Sequence, residues 1–318
     1  MIVRKATEED IPLIVELLKL SLGESLMPKS EAYWRWKHLD NPFGSSPVLL
    51  AFEGTILVGV RAFMRWNWTK NGKRIKAIRA VDTATHPRFQ GKGIFKKLTL
   101  DLLGHSKSDG VDFVFNTPND KSKAGYLKMG WVEAGNLPVR ISLKRPMRIV
   151  KSRLQGKIGA EFIELEENLA LKFDLLKSFE QFKGDIHANF DGFHTQLSID
   201  YLHWRYKNIP VINYYGNAAK EGIVIFRLKQ TLNGIELRIV ECIGEINVIE
   251  SLIMELYISV VFDYMTISAK YTYKLPGIIQ IKSQKGPQVT IRELGSFDLN
   301  NLISFNNWNP SLGDLEVF

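Results

Sequence analysis

A glycine-containing turn, Arg88-Phe89-Gln90-Gly91-Lys92-Gly93, separates a strand-like segment from a helix-like one. Residues 75–85 before it are partly alternating, and the apolar residues after it recur at helical spacing. Gly91 and Gly93 have no Cβ, so the backbone can curl tightly and approach a ligand closely. The start of the helix adds unpaired N–H groups and the positive end of a dipole. The segment therefore predicts a site for a phosphate or pyrophosphate.

The spacing of the glycines separates this turn from two other nucleotide-binding patterns. Gly93 is not followed by the Lys-Ser/Thr pair of the Walker pattern, and Lys96 occupies the place of the third glycine of a Rossmann fingerprint. What remains is an Arg-x-x-Gly-x-Gly turn after a His-Pro step. Residues 83–93 resemble the acetyl-CoA pyrophosphate motif of the GNAT N-acetyltransferase superfamily.

A second block, residues 119–131, follows an apolar strand candidate and supports the same resemblance. It resembles the family's later segment, in which an Asn opens a helix, a Tyr lies two turns along, and Gly with an aromatic residue ends it. Asn119 suits an N-cap, and Tyr126 lies on nearly the same helix face. Gly130 suits the C-terminal stop. The two blocks together predict a GNAT core in the first half of the chain.

The resemblance implies an α/β fold with a mixed central sheet, and the second half contains an echo of the first. Trp34-Arg35-Trp36-Lys37 recurs as Trp204-Arg205-Tyr206-Lys207, 204 − 34 = 170 residues later, and a proline follows each copy. The sequence thus predicts two tandem GNAT-like domains, residues 1–145 and 146–318, each a mostly antiparallel sheet flanked by helices. The second lacks the Arg-x-x-Gly-x-Gly turn, so we expect it to shape the acceptor cleft or support the first domain rather than to bind CoA.

Two further expectations concern the boundary between these domains. Residues 139–143 are expected to form the last strand of the first domain. Residues 144–157 are basic and contain Pro146 and Gly156. We expect a solvated linker there, because charge runs are usually solvent faces, with an RNA or membrane patch as the alternative.

The resemblance also implies contacts with acetyl-CoA. Backbone N–H groups of the turn would hold the pyrophosphate, and backbone groups of the preceding strand would run along the pantetheine. The side chains of Arg88 and Lys92 would add positive charge, although exposed basic residues need no such role. The predicted cosubstrate contacts are Ala84, Thr85, Arg88, Gln90, Gly91, Lys92, Gly93, Ile94 and Asn119.

Acetyl transfer to an amine needs a proton donor for the thiolate and a proton acceptor for the amine. Tyr126 is the predicted acid, because a phenol with an ordinary pKa of about 10 can protonate a sulfur anion held close to it. A tyrosine buried as core is the alternative. Asp82, three residues before Thr85, is the nearest carboxylate in sequence and the predicted base. Strand alternation could instead face it away from the acceptor. The resemblance implies a distant Glu, in the second domain, or a water chain as the alternative base.

Composition adds few constraints. The 318 residues include one cysteine, Cys242, which permits no internal disulfide and fits a reducing cytoplasm. Six histidines without His or Cys clusters predict no metal site. No apolar run approaches the roughly 20 residues that cross a bilayer. A net charge of +8 favours anionic ligands such as CoA and also permits nucleic-acid contact. The oligomeric state cannot be predicted from these features.

Three functions follow in order of preference. The first is an acetyl-CoA-dependent N-acetyltransferase that acts on the primary amine of a small molecule, such as an amino sugar or amino acid. The second is a tandem-domain transferase that takes an aminoacyl group from charged tRNA, which the basic charge would suit. The third is a non-catalytic scaffold that binds CoA or a sugar. The intact turn favours the first.

Overall fold

The helices and strands before residue 145 follow the predicted order in the computed structural model, which describes residues 1–23, 27–156, 159–186, 192–284, 286–295 and 302–315. The strands are β1 (Ile2–Lys5), β2 (Val48–Glu53), β3 (Ile56–Lys70), β4 (Lys73–Thr85), β5 (Phe113–Asn116), β6 (Val132–Asn136) and β7 (Val139–Leu143). The helices are α1 (Ile11–Leu22), α2 (Glu31–His38), α3 (Ile94–Ser108) and α4 (Asp120–Lys128), with 3-10 turns at Glu8–Asp10 and Pro87–Phe89.

The rest of the described chain holds a second set of elements. Its helices are α5 (Pro146–Gln155), α6 (Glu167–Lys172), α7 (Leu175–Gln181), α8 (Ile199–Leu202), continued by a π-turn at His203–Lys207, and α9 (Ile246–Ser259). Its strands are β8 (Glu161–Ile163), β9 (His194–Thr195), β10 (Tyr215–Ala219), β11 (Gly222–Thr231), β12 (Gly234–Gly244), β13 (Tyr264–Ser268), β14 (Ile279–Ser283) and β15 (Gln288–Glu293). A 3-10 turn at Phe305–Asn307 and a short helix at Leu312–Leu315 follow.

Two sheets organise these elements, as the prediction of two GNAT-like units requires. The eight-stranded sheet has the order β1-β2-β3-β4-β5-β15-β6, and β9 pairs with β3. The seven-stranded sheet has the order β10-β11-β12-β13-β7-β14, and β8 pairs with β11. In each sheet one central pair, β4 with β5 and β12 with β13, is parallel and the other named pairs are antiparallel.

The two sheets exchange strands, which the sequence did not predict. Strand β7 was expected to end the first domain, but it pairs with β13 and β14 in the seven-stranded sheet. Strand β15, from late in the chain, fills the place between β5 and β6 in the eight-stranded sheet. Pairing partners far apart in sequence leave no local signal, so residue 145 marks a point in the chain order and not a separation of the sheets.

The expected linker at residues 144–157 is also corrected, because its described part forms helix α5. Pro146 stands at the first helical turn, where its missing N–H costs nothing. Ile149 is buried on the inner side of the helix. Burial of that face holds the segment against the fold as a helix. Its basic charge had predicted a solvated connector instead.

The internal echo is real but its register differs from the predicted one. Trp36 Nε1 donates to the Trp204 carbonyl at 2.6 Å, and Trp204 Nε1 donates to the Trp36 carbonyl at 2.7 Å. The two rings stack with centroids 4.9 Å apart. Ser30 caps α2 and Ser198 caps α8, and these two serines are 168 residues apart. Trp36 and Trp204 are separated by the same 168 residues. The equivalence is therefore 168 residues, and the two tryptophans form a pseudo-twofold contact between the halves.

This contact lies in one continuous apolar core between the sheets. Four tryptophans of the first half are at most 5% exposed, namely Trp34, Trp36, Trp66 and Trp68. Trp66 and Trp68, on β3, pack with Trp204 and Trp308 of the second half.

Candidate acyl-donor site

The predicted glycine turn lies where β4 ends and α3 begins. Gly91 and Gly93 have φ angles of +78° and +76°, in the left-handed region that favours glycine. A Cβ built on either glycine meets no atom within 4 Å, so the turn borders open space. Within the described ranges, no backbone amide from Gln90 to Gly93 donates to another backbone carbonyl. These free donors lie at the start of a 15-residue helix, which is the geometry of an anion site.

A cavity of about 410 Å³ borders this turn and extends along β4. Strand β5 pairs with β4 only over Ala77–Arg79, so among the described residues no strand pairs with the later part of β4 on that side. Ser21 Oγ donates to the Thr85 carbonyl at 3.0 Å, which ties α1 to the same strand. The cavity is lined by Ser21, Leu22, Thr83, Ala84, Thr85, Phe89, Gln90, Gly91, Gly93, Ile94, Phe95 and Lys96.

The structure thus brings six of the predicted contacts together around one cavity and leaves three outside its lining. Arg88 is exposed, and its backbone N–H donates to His86 Nδ1 at 3.2 Å. Lys92 Nζ lies over the Phe89 ring, 4.7 Å from its centroid. Asn119 caps α4 by accepting the Ser122 N–H at 2.9 Å, as its structural interpretation predicts.

Tyr126 is buried on α4, with 3% of its surface exposed. Its ring packs edge-on against Phe95, with 5.6 Å between centroids, and Phe95 lines the cavity. Arg61 Nη1 donates to the Tyr126 hydroxyl oxygen at 2.9 Å. Because the oxygen accepts this bond, the phenol proton is free to be donated elsewhere.

Sequence reasoning missed Arg61, which contacts the predicted acid. It lies in β3 and is fully buried, and its guanidinium faces the rings of Phe63, Phe95 and Tyr126 at 4.6, 5.7 and 5.4 Å. Its Nε and Nη2 atoms have no hydrogen-bond partner among the described residues. A buried N–H without an acceptor costs about 1–3 kcal/mol. The only sequence signal is a lone arginine in an apolar strand.

Asp82 lies in a buried charge cluster rather than in the lining of the cavity. It is the extra residue of a bulge where β3 pairs with β4, with φ at +37°, a region that Asp tolerates better than most residues. Lys37 Nζ donates to its Oδ2 at 2.7 Å, and His38 Nε2 lies 2.8 Å from the same oxygen. Burial alone would raise the pKa of Asp82, but Lys37 and His38 outweigh burial and hold that pKa well below its usual range.

The partners of Asp82 have perturbed pKa values as well. Burial lowers the pKa of His38, so its imidazole is neutral at pH 7. Burial also opposes the charge on Lys37, but Asp82 and Tyr33 more than compensate and raise the pKa of Lys37. The cluster therefore holds one buried cation against one buried anion. An ionised carboxylate of low basicity results.

The corresponding loop in the second half is closed. Gly244 ends β12 with φ at +120°, and a Cβ there would clash with the Glu221 carbonyl. Backbone packing occupies the space that the Gly91 turn leaves open. In the described part of the chain, no group of three or more His, Cys, Asp or Glu side chains is placed to hold a metal ion.

The sequence model of the family described as acetyltransferase (GNAT) domain matches residues 2–134. No curated protein matches the chain. The matched residues include the glycine turn, the cavity and Tyr126.

Several solved structures share the fold over most of the chain. A GCN5-related N-acetyltransferase from Anabaena variabilis is 17% identical with a TM-score of 0.61, and the match covers 92% of this chain and 72% of that one. A probable N-acyltransferase from Enterococcus faecalis is 12% identical with a TM-score of 0.62 at the same coverages. Eis1 from Mycobacterium abscessus is 12% identical with a TM-score of 0.57, and the match covers 92% of this chain and 74% of that one. At these identities the likeness concerns the fold.

Proposed function

We propose that this chain is an acyltransferase of the GNAT superfamily, whose domain model matches residues 2–134, and that it moves an acetyl group from acetyl-CoA to the primary amine of a small molecule. The observation that carries the proposal is the open glycine turn with its free amides beside a cavity of about 410 Å³. The amine attacks the thioester directly while both substrates are bound. Amino sugars and amino acids are the acceptor classes proposed.

The donor is proposed to lie along the predicted contacts. The amides from Gln90 to Ile94 hold the pyrophosphate, and the pantetheine follows the unpaired edge of β4 past Thr85 and Ala84. Arg88 and Lys92 are exposed beside the turn and add positive charge, and Asn119 contacts CoA from the start of α4. Because no strand pairs with this edge of β4, its backbone N–H and C=O groups are available to hydrogen-bond the extended pantetheine.

Tyr126 is proposed to protonate the leaving CoA thiolate. Arg61 keeps the phenol oxygen in place and leaves its proton available.

Asp82 stays a proposal for the proton acceptor. It is ionised, as a base must be, but its contacts with Lys37 and His38 make it weakly basic. The second half is proposed to shape the acceptor cleft, because its closed loop at Gly244 leaves no room for a second pyrophosphate. We place the protein in the cytoplasm on the strength of its single cysteine.

Transfer from charged tRNA is the second candidate, and the net charge of +8 favours it. It would use the same fold with nucleic acid in place of CoA. A CoA-binding scaffold is the third. Binding of acetyl-CoA separates the first and third candidates from the second, and turnover separates the first from the third.

Filling the turn should abolish donor binding. We expect acetyl-CoA to bind the wild type in the micromolar range by isothermal titration, and a Gly91→Glu, Gly93→Glu double variant to show at least a hundredfold weaker binding. Two carboxylates would repel the pyrophosphate, and their side chains would occupy the open space beside the turn.

A matched control carries the same change elsewhere. Gly54→Glu with Gly72→Glu also alters two glycines of positive φ with open space around them, in the β2–β3 and β3–β4 turns. We expect it to bind acetyl-CoA like the wild type. Failure of the folded wild type to bind acetyl-CoA would refute the acetyltransferase proposal and favour charged tRNA.

Arg61 and Tyr126 should act as one unit. With an acceptor amine found by screening, we expect Tyr126→Phe to lower kcat by about 100-fold, within the range for general acid catalysis. Arg61→Met should lower kcat in the wild type and add little in the Tyr126→Phe background, because the arginine works through the phenol.

The control for this cycle is Arg227→Met, which removes a buried arginine of β11 in the other sheet. It should leave the coupling between Arg61 and Tyr126 unchanged. Equal, multiplicative losses from Arg61→Met in both backgrounds would show that Arg61 does not support the acid.

A further inference from the structure

Helix α5 exposes an apolar stripe on its outer side. Met147 and Leu154 are 81% and 82% exposed, and Val150 between them is 54% exposed. These positions recur at i, i+3 and i+7, so they share one face, whereas Ile149 is buried on the other. Exposed apolar side chains at nearly full accessibility on one helix face indicate a surface that is covered in function.

Two other exposed apolar segments meet the start of this helix. Lys144 Nζ donates to the carbonyls of Tyr257 and Val260, which places the end of α9 beside the start of α5. The Ile278 amide donates to the Leu143 carbonyl, which places the segment before β14 there as well. These segments contribute the exposed side chains of Ile258, Val261, Ile278 and Ile279. Together with Met147, Val150 and Leu154, they form what we call the α5 surface.

The charged side chains of helix α5 itself have one sign. Residues 145–155 contain Arg145, Arg148, Lys151 and Arg153 and no carboxylate. Arg148 Nε lies 3.5 Å from the carboxylate of Asp263, and Arg153 Nε donates to Asn233 Oδ1 at 2.6 Å. An apolar stripe flanked by cations on a short helix is the pattern of segments that lie in the headgroup region of anionic bilayers.

A small cavity of about 220 Å³ adjoins these cations. Arg148, Lys151 and Ser152 line it, and Ser152 Oγ is buried with no hydrogen-bond partner among the described residues. Asp263 also lines it: its Oδ2 accepts the Ile235 N–H at 2.9 Å, and its Oδ1, which has no hydrogen-bond partner among the described residues, lies 3.5 Å from Arg148 Nε. Asp263 balances the charge of Arg148, so the Lys151 ammonium and the Ser152 hydroxyl are the groups that suit a phosphate.

We propose that the α5 surface binds membranes that contain anionic phospholipids, with the apolar stripe in the headgroup region and a lipid phosphate in the cavity at Lys151 and Ser152. Charge selects this occupant. A second copy of the same surface would bring cations against cations, and a nucleic acid would leave the apolar side chains in water. The proposed association is peripheral. No helix in the described ranges is long and apolar enough to cross a membrane.

Vesicle flotation tests this proposal. The full chain should float with phosphatidylcholine vesicles that contain one third phosphatidylserine and stay behind with pure phosphatidylcholine. We expect Met147→Glu with Leu154→Glu to weaken binding at least tenfold. Lys151→Gln should weaken it roughly fivefold, from the contribution of one cation near an anionic surface.

The matched control is Leu13→Glu with Leu20→Glu. These residues are 46% and 57% exposed on α1, have the same spacing of seven residues, and lie far from the cations of α5 in the chain. This control, and Lys107→Gln for the charge, should bind vesicles like the wild type. Thermal unfolding and acetyl-CoA titration of each variant keep folding and the proposed donor site separate from the lipid result.

Three results would overturn the proposal. The first is no flotation of the wild type with anionic vesicles. The second is equal loss in the α1 control and the α5 variant. The third is a dimer in sedimentation that the α5 variant dissociates while vesicles bind neither form, which would make this surface an interface between copies.

Discussion

Asp82→Asn should lower the free energy of unfolding at pH 7 by about 3–5 kcal/mol, the cost of breaking a buried ion pair by removing one partner. Lys37 is 2% exposed, and its ammonium would keep its charge beside a neutral amide. The Tyr33 ring, with its centroid 4.2 Å from Lys37 Nζ, offers only partial compensation. Chemical denaturation of the wild type and variant measures the difference.

The pH dependence gives this prediction a sign. The pKa of Asp82 is depressed in the folded state, so the carboxylate stabilises the fold above its unfolded pKa of about 4. That stabilisation is lost as the pH falls toward the folded pKa. The difference in free energy of unfolding between wild type and variant should therefore be largest near pH 7 and should shrink toward zero in acid.

Asp101→Asn is the control for burial. Asp101 pairs with Lys97 at 3.0 Å, but both side chains are well exposed, and such pairs contribute well under 1 kcal/mol. A loss from Asp82→Asn as small as that from Asp101→Asn would mean that the cluster with Lys37 does not stabilise the fold.

Asp82→Asn also distinguishes a catalytic from a structural role of Asp82. Loss of a general base lowers kcat by about 10²–10⁴. If kcat, corrected for the fraction of Asp82→Asn that is folded, drops by that factor, Asp82 is the base. A smaller drop would assign it the structural role of holding Lys37 and His38.

The glycine turn and the first half of the fold could be predicted because their causes are local. Gly91 and Gly93 need left-handed φ, Asn119 caps the helix that it opens, and Asn71-Gly72 forms the tight turn between β3 and β4 with positive φ at both residues. Each of these features follows from residues that are neighbours in sequence. Local turns and helix caps can therefore be predicted from the sequence.

The parts that could not be predicted depend on contacts far apart in sequence. Arg61 enters the proposed site only through Tyr126, which lies 65 positions later in the sequence and beside it in the fold. Asp82 loses basicity to Lys37 and His38, on a helix 44 and 45 positions earlier. The exchange of β7 and β15 between the sheets has the same origin, since no residue within either strand specifies its partner.

The corrected register of the repeat relates the two buried carboxylates of the halves. His38 and Tyr206 are equivalent, since 206 − 38 = 168, and each contacts a carboxylate on the central strand of its sheet. In the first half this is Asp82, within the bulge, and in the second it is Glu241, directly after the bulge of β11 and β12. Asp82 contacts the Lys37 ammonium and the His38 imidazole, whereas Glu241 accepts from the hydroxyls of Tyr206 and Tyr271 at 3.0 and 2.8 Å.

The different partners give the two carboxylates opposite behaviour. Burial, followed by repulsion from Asp314, raises the pKa of Glu241 to about 8, so the folded protein keeps this carboxyl protonated at pH 7. In the unfolded chain the same group loses its proton near pH 4.5. Stability should therefore fall as the pH rises from about 4.5 to about 8, because only the unfolded state releases the proton.

Glu241→Gln should remove this dependence while an amide keeps the contacts with Tyr206 and Tyr271. We expect the variant to match the wild type near pH 4.5 and to become more stable than it toward pH 8. At about 1.4 kcal/mol for each pH unit, the advantage reaches several kcal/mol. Urea denaturation at a series of pH values measures it.

Glu236→Gln supplies a control of opposite sign in the same strand. Glu236 is as buried as Glu241, but Arg238 lies 2.8 Å from its carboxylate and, with Arg227, outweighs burial and lowers its pKa. Its charge stabilises the fold above about pH 4.5, so Glu236→Gln should destabilise the protein at neutral pH and do less harm in acid. If both variants shifted stability in the same direction at pH 8, partner charge would not explain the two carboxylates. Opposite shifts would show that the neighbouring cation, and not burial, decides whether a carboxylate between these sheets supports the fold.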